Sequence, residues 1–209
     1  MSQNNTLKEM DRKLFTSYFE DGLLEIFLAA FVLMFAVGPL LSGTLGDFWS
    51  SVVFLPFWGL VYLVLRFLRN QVVAPRIGSV TWGALRKKKL RTGFIIVFVL
   101  NLVFLVLGVV SFINPVMSGF AMSIRFSAMM LVLFSAGGYI LDFSYLYVYG
   151  GLIALAMPVG EWLYQNAGFS HHGFPVVFGC VAGLMFVRGI YKFITLLKNT
   201  PLQSEKGTI

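Results

Sequence analysis

Long hydrophobic runs separated by short polar segments dominate the chain. Four are continuous: "LLEIFLAAFVLMFAVGPLL" from Leu23, "SVVFLPFWGLVYLVLRFL" from Ser51, "GFIIVFVLNLVFLVLGVVSFI" from Gly93 and "FPVVFGCVAGLMFVRGIYKFI" from Phe174. About 20 apolar residues are needed for a helix to cross about 30 Å of hydrocarbon. Backbone N–H and C=O groups in lipid must pair within their own segment, which favours helices. Each run therefore predicts one transmembrane helix.

The stretch from Gly119 to Gly160 is about twice as long as one membrane crossing, and we interpret it as two helices. Gly137 and Gly138 are expected to end the first helix, because glycine tolerates the left-handed geometry of a helix C-terminus. Asp142 is expected to begin the second helix as an N-cap that accepts backbone N–H bonds. The pattern thus predicts six spans.

The composition also indicates an integral membrane protein, because 58% of the residues are hydrophobic and only 12% are charged. Soluble domains usually carry about 25% charged residues. The predicted fold class is therefore an all-α polytopic membrane helical bundle of about six transmembrane helices. A single cysteine, Cys180, excludes an intramolecular disulfide framework and a multi-cysteine metal site.

The chain is predicted to form one integral membrane domain over residues 1–209 with three cytoplasmic parts. These are an amphipathic N-terminal segment (1–21), a basic loop (69–92) and a C-terminal tail (199–209). Thr6 and Glu9 fit a capping box that predicts a short helix over about residues 7–20, with a solvated turn as the alternative.

The positive charges predict the orientation, because lysine and arginine are retained on the cytoplasmic side of a membrane. With six spans and a cytoplasmic N-terminus, fifteen of the sixteen basic residues lie inside and only Arg125 lies outside. A five-span arrangement would move the C-terminal lysines outside. We therefore predict a multi-pass protein of the cell membrane with both termini in the cytoplasm.

The first cytoplasmic loop concentrates the basic residues. Pro75 is expected to break any helix that continues from the second span, and Gly78 and Gly83 favour a compact turn. Anionic headgroups attract such residues by about 1 kcal/mol each. The lipid- or partner-binding residues predicted here are Arg76, Arg86, Lys87, Lys88, Lys89 and Arg91.

Three classes of ligand could bind a basic loop of this kind. Membrane lipids with anionic headgroups are the first, and an acidic cytosolic protein or phosphorylated ligand is the alternative. No nucleic acid is expected, since no recognisable DNA-binding module accompanies the charges.

Three segments, "DGLLEIFLAAFVLMF" from Asp21, "APRIGSVTWG" from Ala74 and "GLMFVRGIYKFITLLKNTP" from Gly183, carry a resemblance. Together they resemble a group of small, uncharacterised prokaryotic polytopic integral membrane proteins. These share an Asp-Gly before the first span, a Pro-Arg-Ile-Gly cytoplasmic turn and a glycine-rich last span that ends near an Asn-Pro pair. The chain departs from that pattern at Ser79, where the group has an aromatic residue, and at Thr200, which separates Asn199 from Pro201. The resemblance implies a membrane location and no known reaction.

Ionisable and polar groups at membrane depth are candidate sites because they are costly there. The possible intramembrane polar site comprises Glu25, Asn101, Asp142 and Arg188. Glu25 shares a helical face with Asp21 and is expected near the inner interface, paired with a loop arginine such as Arg76. A cation or proton site is the alternative for Glu25.

The remaining polar residues have expected partners of their own. The Asn101 amide is expected to hydrogen-bond another helix. Arg188 is expected to extend its side chain to the inner interface, or else to pair with Asp142 or Glu25. Arg125 is placed near the outer surface, opposite Glu161.

His171 and His172 with Glu161 form the one metal-like grouping in the sequence, but adjacent histidines project in different directions. No metal and no cofactor is therefore predicted. Gly179 and Gly183 are expected to let α-helices approach closely within the monomer rather than between two copies.

Three functions remain open, and the sequence specifies neither substrate nor oligomeric state. The favoured function is a non-enzymatic membrane protein whose basic cytoplasmic loop contacts anionic lipid or a cytosolic protein. The alternative is a small transporter or channel subunit with a polar path through the bundle. An enzyme is disfavoured but left open, since the chain has no P-loop, HExxH or Gly-x-Ser-x-Gly motif. If it were one, it would act on lipids through His171, His172 and Glu161.

Overall fold

The computed structural model describes residues 20–77, 84–113 and 119–200. The predicted N-terminal helix lies outside this part of the chain except for its last residue, and so do Gly78, Gly83 and the tail beyond Thr200. The described residues form helices without strands. Six long helices appear in chain order: α1 (Leu23–Leu45), α2 (Asp47–Phe67), α3 (Ala84–Ile113), α4 (Gly119–Leu141), α5 (Tyr145–Ala167) and α6 (Phe174–Asn199).

All six helices are long and apolar enough to cross a membrane. The predicted class, an all-α helical multi-pass membrane protein, is confirmed. The lengths follow from the sequence, because each helix continues for as long as its apolar run can satisfy the backbone internally.

The predicted helix break at Pro75 is wrong. Helix α2 continues through a π-helical turn, Leu68–Val73, into a short α-helical segment, Ala74–Ile77. Proline is tolerated at the first turn of an α-helix, where its missing N–H is not needed. The wider π-helical turn just before Pro75 changes the hydrogen-bonding register. Much of the predicted loop 69–92 is thus helical, since α3 begins at Ala84.

The division of residues 119–160 into two helices is confirmed, but its predicted signals are wrong. Gly137 and Gly138 lie inside α4, which ends at Leu141. Asp142 adopts a positive φ of 48° after α4, and Ser144 is the residue preceding α5. The glycines serve packing: a Cβ on Gly138 would meet the Tyr147 ring at 3.0 Å.

The chain divides into two compact units, residues 1–81 with 178–209, and residues 82–177. In the first unit, α1 and α2 are joined through Gly46, and α6 packs against α1. Its buried core includes Val32 and Phe178, and the Phe35 and Phe178 rings lie 5.4 Å apart.

The second unit contains α3, α4 and α5. Its largest interface is between α4 and α5, where Phe134 and Ile153 are buried. Helix α3 packs on α4 at Gly93, where an added Cβ would collide with Ile140.

Candidate functional site

Two ion pairs with buried carboxylates lie in the first unit. They are close to the N-terminus of α1 and to the C-terminal ends of α2 and α6. Glu25 is 0% exposed, and Lys192 Nζ lies 2.6 Å from its Oε1. Asp21 is also buried, with Arg69 Nη2 at 3.2 Å from its Oδ2. The third residue of α1 and a residue near the end of α6 thus neutralise each other, with the carboxylate buried and the lysine side chain 19% exposed.

Asp21 also holds the start of α1. Its Oδ1 accepts a hydrogen bond from the Leu23 N–H at 3.0 Å, satisfying one of the free donors of the first turn. Gly22 between them has a φ of 81°, and a Cβ there would collide with the Gly189 carbonyl oxygen of α6. Burial raises the pKa of Asp21 above its usual range, and the Arg69 charge and the Leu23 hydrogen bond oppose that rise.

The expected pairing of Glu25 with Arg76 is wrong. Arg76 Nη1 donates to the carbonyl oxygens of Leu197 and Thr200, at 2.9 and 2.8 Å. A cation is favoured there because the last carbonyls of a helix carry partial negative charge. Arg76 therefore links the short helical segment Ala74–Ile77, which follows α2, to the C-terminal end of α6.

Lys192 is a residue that the sequence interpretation missed. The sequence signal that could have identified it is the similar predicted depth of the two residues in the membrane. Lys192 lies about two turns before the end of the last span, and Glu25 lies about one turn into the first. Arg188 lies one turn before Lys192 on α6 and is half-buried.

In the second unit Asp142 forms an ion pair with Lys89 of α3. The Lys89 Nζ lies 3.1 and 3.0 Å from the two carboxylate oxygens and 5.1 Å from the centre of the Tyr139 ring. The positive φ of Asp142 places this carboxylate at the α4–α5 corner. The contact joins α3 to that corner.

The basic residues predicted to bind lipid or a partner therefore divide into two kinds. Arg76 and Lys89 make contacts within their units. Lys87, Lys88 and Arg91 are exposed on the first turns of α3, and we call these three residues the basic patch. Arg86 belongs to α3, but its side chain lies outside the described set.

The expected hydrogen bond from the Asn101 amide to another helix of the chain is wrong for the residues described. Its Nδ2 donates to the Val97 carbonyl oxygen of the same helix at 2.8 Å, and the residue is exposed. The four residues of the predicted polar site lie in different units, Glu25 and Arg188 in the first, Asn101 and Asp142 in the second.

The second unit holds another polar cluster where α5 ends. Glu161 is buried, and its two carboxylate oxygens lie 2.8 Å from Gln165 Nε2 and 2.8 Å from His172 Nδ1. The His172 ring packs on Tyr164, with 4.4 Å between ring centres. This arrangement orients one imidazole against a carboxylate. Within residues 20–77, 84–113 and 119–200, no three His, Cys, Asp or Glu side chains group as metal ligands.

The expected packing role of Gly179 and Gly183 is wrong for the residues described. A Cβ on either glycine would meet no atom within 4 Å. The close approach of α6 to α1 occurs at Gly189, where a Cβ would lie 2.8 Å from Ile26 Cγ1. The two glycines instead border open space.

Comparison of the chain with family models, with curated proteins and with solved structures finds no match.

Proposed function

We propose that the protein is a non-enzymatic component of the cell membrane whose basic patch, Lys87, Lys88 and Arg91, contacts the anionic headgroups of cytoplasmic-leaflet lipids. Both chain termini are assigned to the cytoplasmic side. The observation that supports this most directly is the exposure of these three residues immediately before the apolar part of α3. Basic side chains next to an anionic leaflet gain about 1 kcal/mol each.

The internal contacts of the other basic residues sharpen the proposal. Arg76 is committed to α6 carbonyls and Lys89 to Asp142. Side chains held in this way contribute to the structure rather than to a ligand site. Of the basic residues predicted to contact lipid, the proposal therefore retains those of the basic patch.

A transporter is less well supported by the polar residues. Glu25 and Asp142 each have a cationic partner within their own unit, and Asn101 is bonded to its own helix. A polar path needs side chains that line a hydrated cavity. Each of these three residues instead has a polar group engaged in a contact within the fold.

The test compares two triple variants of the basic patch, K87Q/K88Q/R91Q and the charge-preserving K87R/K88R/R91K. Each is purified from the same cells in mild detergent, and the ratio of anionic to zwitterionic phospholipid retained is quantified at low and high salt. We expect the charge-preserving variant to match the original protein and the glutamine variant to lose its anionic enrichment. Salt should weaken the enrichment, because exposed charges are screened.

Equal lipid ratios in both variants would contradict the proposal. If a co-purifying protein disappears from the glutamine variant while its lipids stay unchanged, the patch binds a cytosolic partner instead.

A further inference from the structure

Asn101 places an amide on the outside of a helix that can cross a membrane. The stretch of α3 that is long and apolar enough to do so is Lys87–Val110. Asn101 lies ten positions after Arg91 and nine before Val110, which is about 15 and 14 Å of helix. The hydrocarbon core of a bilayer is about 30 Å thick. The exposed amide is therefore near the middle of the membrane.

Most of the hydrogen-bonding capacity of this amide is unused within the chain. An asparagine side chain offers two N–H donors and an oxygen with two lone pairs. One N–H of Asn101 Nδ2 donates to the Val97 carbonyl oxygen, and among the described residues Oδ1 accepts no hydrogen bond. Lipid chains offer no partner, and polar side chains at this depth usually face another helix or a water-filled cavity. A second helix would satisfy the amide.

The side of α3 that carries Asn101 is open. Between Lys87 and Val110 the only buried residue is Gly93, where α3 packs against α4. A different set of residues repeats at intervals of 4, 3 and 4 positions, the spacing of a seam between two helices. This set, which we call the Asn101 stripe, comprises Phe94, Phe98, Asn101 and Leu105. Its three apolar members are 74%, 60% and 65% exposed.

A second copy of the chain supplies a helix that matches the stripe. All copies insert into the membrane in one orientation, because the same basic residues orient each of them. In a twofold symmetric dimer the axis then lies along the membrane normal, and identical residues meet at the same depth. The Asn101 amide carries both a donor and an acceptor. Each Nδ2 can therefore donate to the partner's Oδ1, and both amides are satisfied at once.

We infer that the protein forms a twofold symmetric dimer through α3, with the two Asn101 amides hydrogen-bonded to each other and the apolar stripe residues packed around them. This association goes beyond the proposed lipid contact and does not rest on it. Because the basic patch occupies the first turns of the same helix, the dimer would place two basic patches side by side.

Cysteine cross-linking in native membranes tests the seam. In a Cys180→Ser background, Leu105→Cys lies on the Asn101 stripe. The matched control is Val103→Cys, since Val103 is also exposed but lies about 160° away around the helix. Two differently tagged copies are co-expressed, and the membranes are oxidised with copper phenanthroline. We expect Leu105→Cys to give a cross-linked product that carries both tags, and Val103→Cys to give little or none.

Energy transfer between donor- and acceptor-labelled copies tests the amide. The copies are labelled at Ser170→Cys in the Cys180→Ser background and reconstituted in phospholipid vesicles over a range of protein-to-lipid ratios. Asn101→Leu should weaken dimerisation about 5- to 30-fold, the contribution expected of hydrogen bonds between helices in lipid. Asn101→Gln keeps a donor and an acceptor and should retain most of the affinity. Circular dichroism in detergent checks that each variant is folded.

Three results would overturn the inference. Leu105→Cys could cross-link no better than Val103→Cys, or Asn101→Leu could associate as tightly as the original protein. The cross-linked product could also contain a different protein, which would make another membrane protein the occupant of the stripe. The variant K87Q/K88Q/R91Q separates this inference from the lipid contact, because it should still dimerise even if its anionic lipid is lost.

Discussion

Glu25 and Lys192 show how a single buried charge constrains its surroundings. The Glu25 carboxylate is 0% exposed, and its Oε1 is paired with Lys192 Nζ at 2.6 Å. Removing charges from water is costly, and the attraction between them repays that cost only while both are present. Removing one of the two charges should therefore destabilise the protein more than removing both.

We expect Lys192→Met to lower the free energy of unfolding by about 3–5 kcal/mol, because it leaves a buried carboxylate without its counter-charge. The double variant Glu25→Met/Lys192→Met should recover most of this loss, since no uncompensated charge remains. Unfolding in detergent, followed by circular dichroism, measures both. A double variant that is less stable than Lys192→Met would contradict this account.

Asp21 predicts a dependence of stability on pH. Burial raises its pKa above 3.8 in the folded protein, against the opposing effect of Arg69. Because the folded-state pKa is the higher one, the stabilisation from protonated Asp21 is complete below pH 3.8 and is lost as pH rises through the raised value. The original protein should therefore lose stability relative to Asp21→Asn as pH rises through that window.

The comparison with Asp21→Asn isolates one carboxyl group, because the asparagine oxygen can still accept the Leu23 N–H bond. Melting temperatures of both proteins in detergent, from about pH 4 to about pH 7, give the difference. A difference that stays constant, or that changes in the opposite direction, would contradict the assignment.

At the scale of elements, the turn between α5 and α6 combines backbone strain with a specific contact. His171, His172 and Gly173 have φ values of 53°, 56° and 61°. Left-handed geometry costs about 1–2 kcal/mol for a residue with a Cβ. Both histidine side chains are exposed, but His172 offsets the strain through its bond to buried Glu161, a bond made by His172 and not by His171.

Glycine substitutions at the two histidines should therefore have different effects. His172→Gly should lower the free energy of unfolding by about 1–3 kcal/mol, because Glu161 stays buried with one partner fewer. His171→Gly should leave stability unchanged or raise it by up to about 1 kcal/mol, because relief of strain is set against the flexibility of glycine. Thermal unfolding of both variants in detergent tests the contrast, and equal losses would show that the His172–Glu161 contact contributes little.

At the scale of the whole molecule, the described residues contain six helices long and apolar enough to cross a membrane, and the proposed topology has all six cross it. Under the proposed orientation, the basic patch and both termini face the cytoplasm, and the turn between α5 and α6 faces the other side. Retention of basic residues on the inner side is the physical basis of this assignment.

Accessibility of single cysteines tests the orientation. In a Cys180→Ser background, which removes the chain's one cysteine, we expect Lys88→Cys to react with a membrane-impermeant thiol reagent only after the cells are permeabilised. Ser170→Cys, in the turn before α6, should react in intact cells. Labelling of both positions from the same side would overturn the proposed topology.

The apolar runs by themselves determined the membrane class and the number of long helices. A helix in lipid satisfies its backbone groups within its own segment, so its existence is a local property that the sequence displays. For the same reason two helices were predicted correctly between Gly119 and Gly160, although Gly137, Gly138 and Asp142 were given the wrong roles.

Only the tertiary structure decided which side chains meet. Glu25 and Lys192 are 167 positions apart, and Arg76 reaches carbonyls more than 120 positions away. Likewise, whether a glycine adjoins another helix, as Gly189 does, or borders open space, as Gly183 does, depends on the path of a neighbouring helix. Such contacts depend on how separate segments pack, and no local pattern of hydrophobic and polar residues encodes that arrangement.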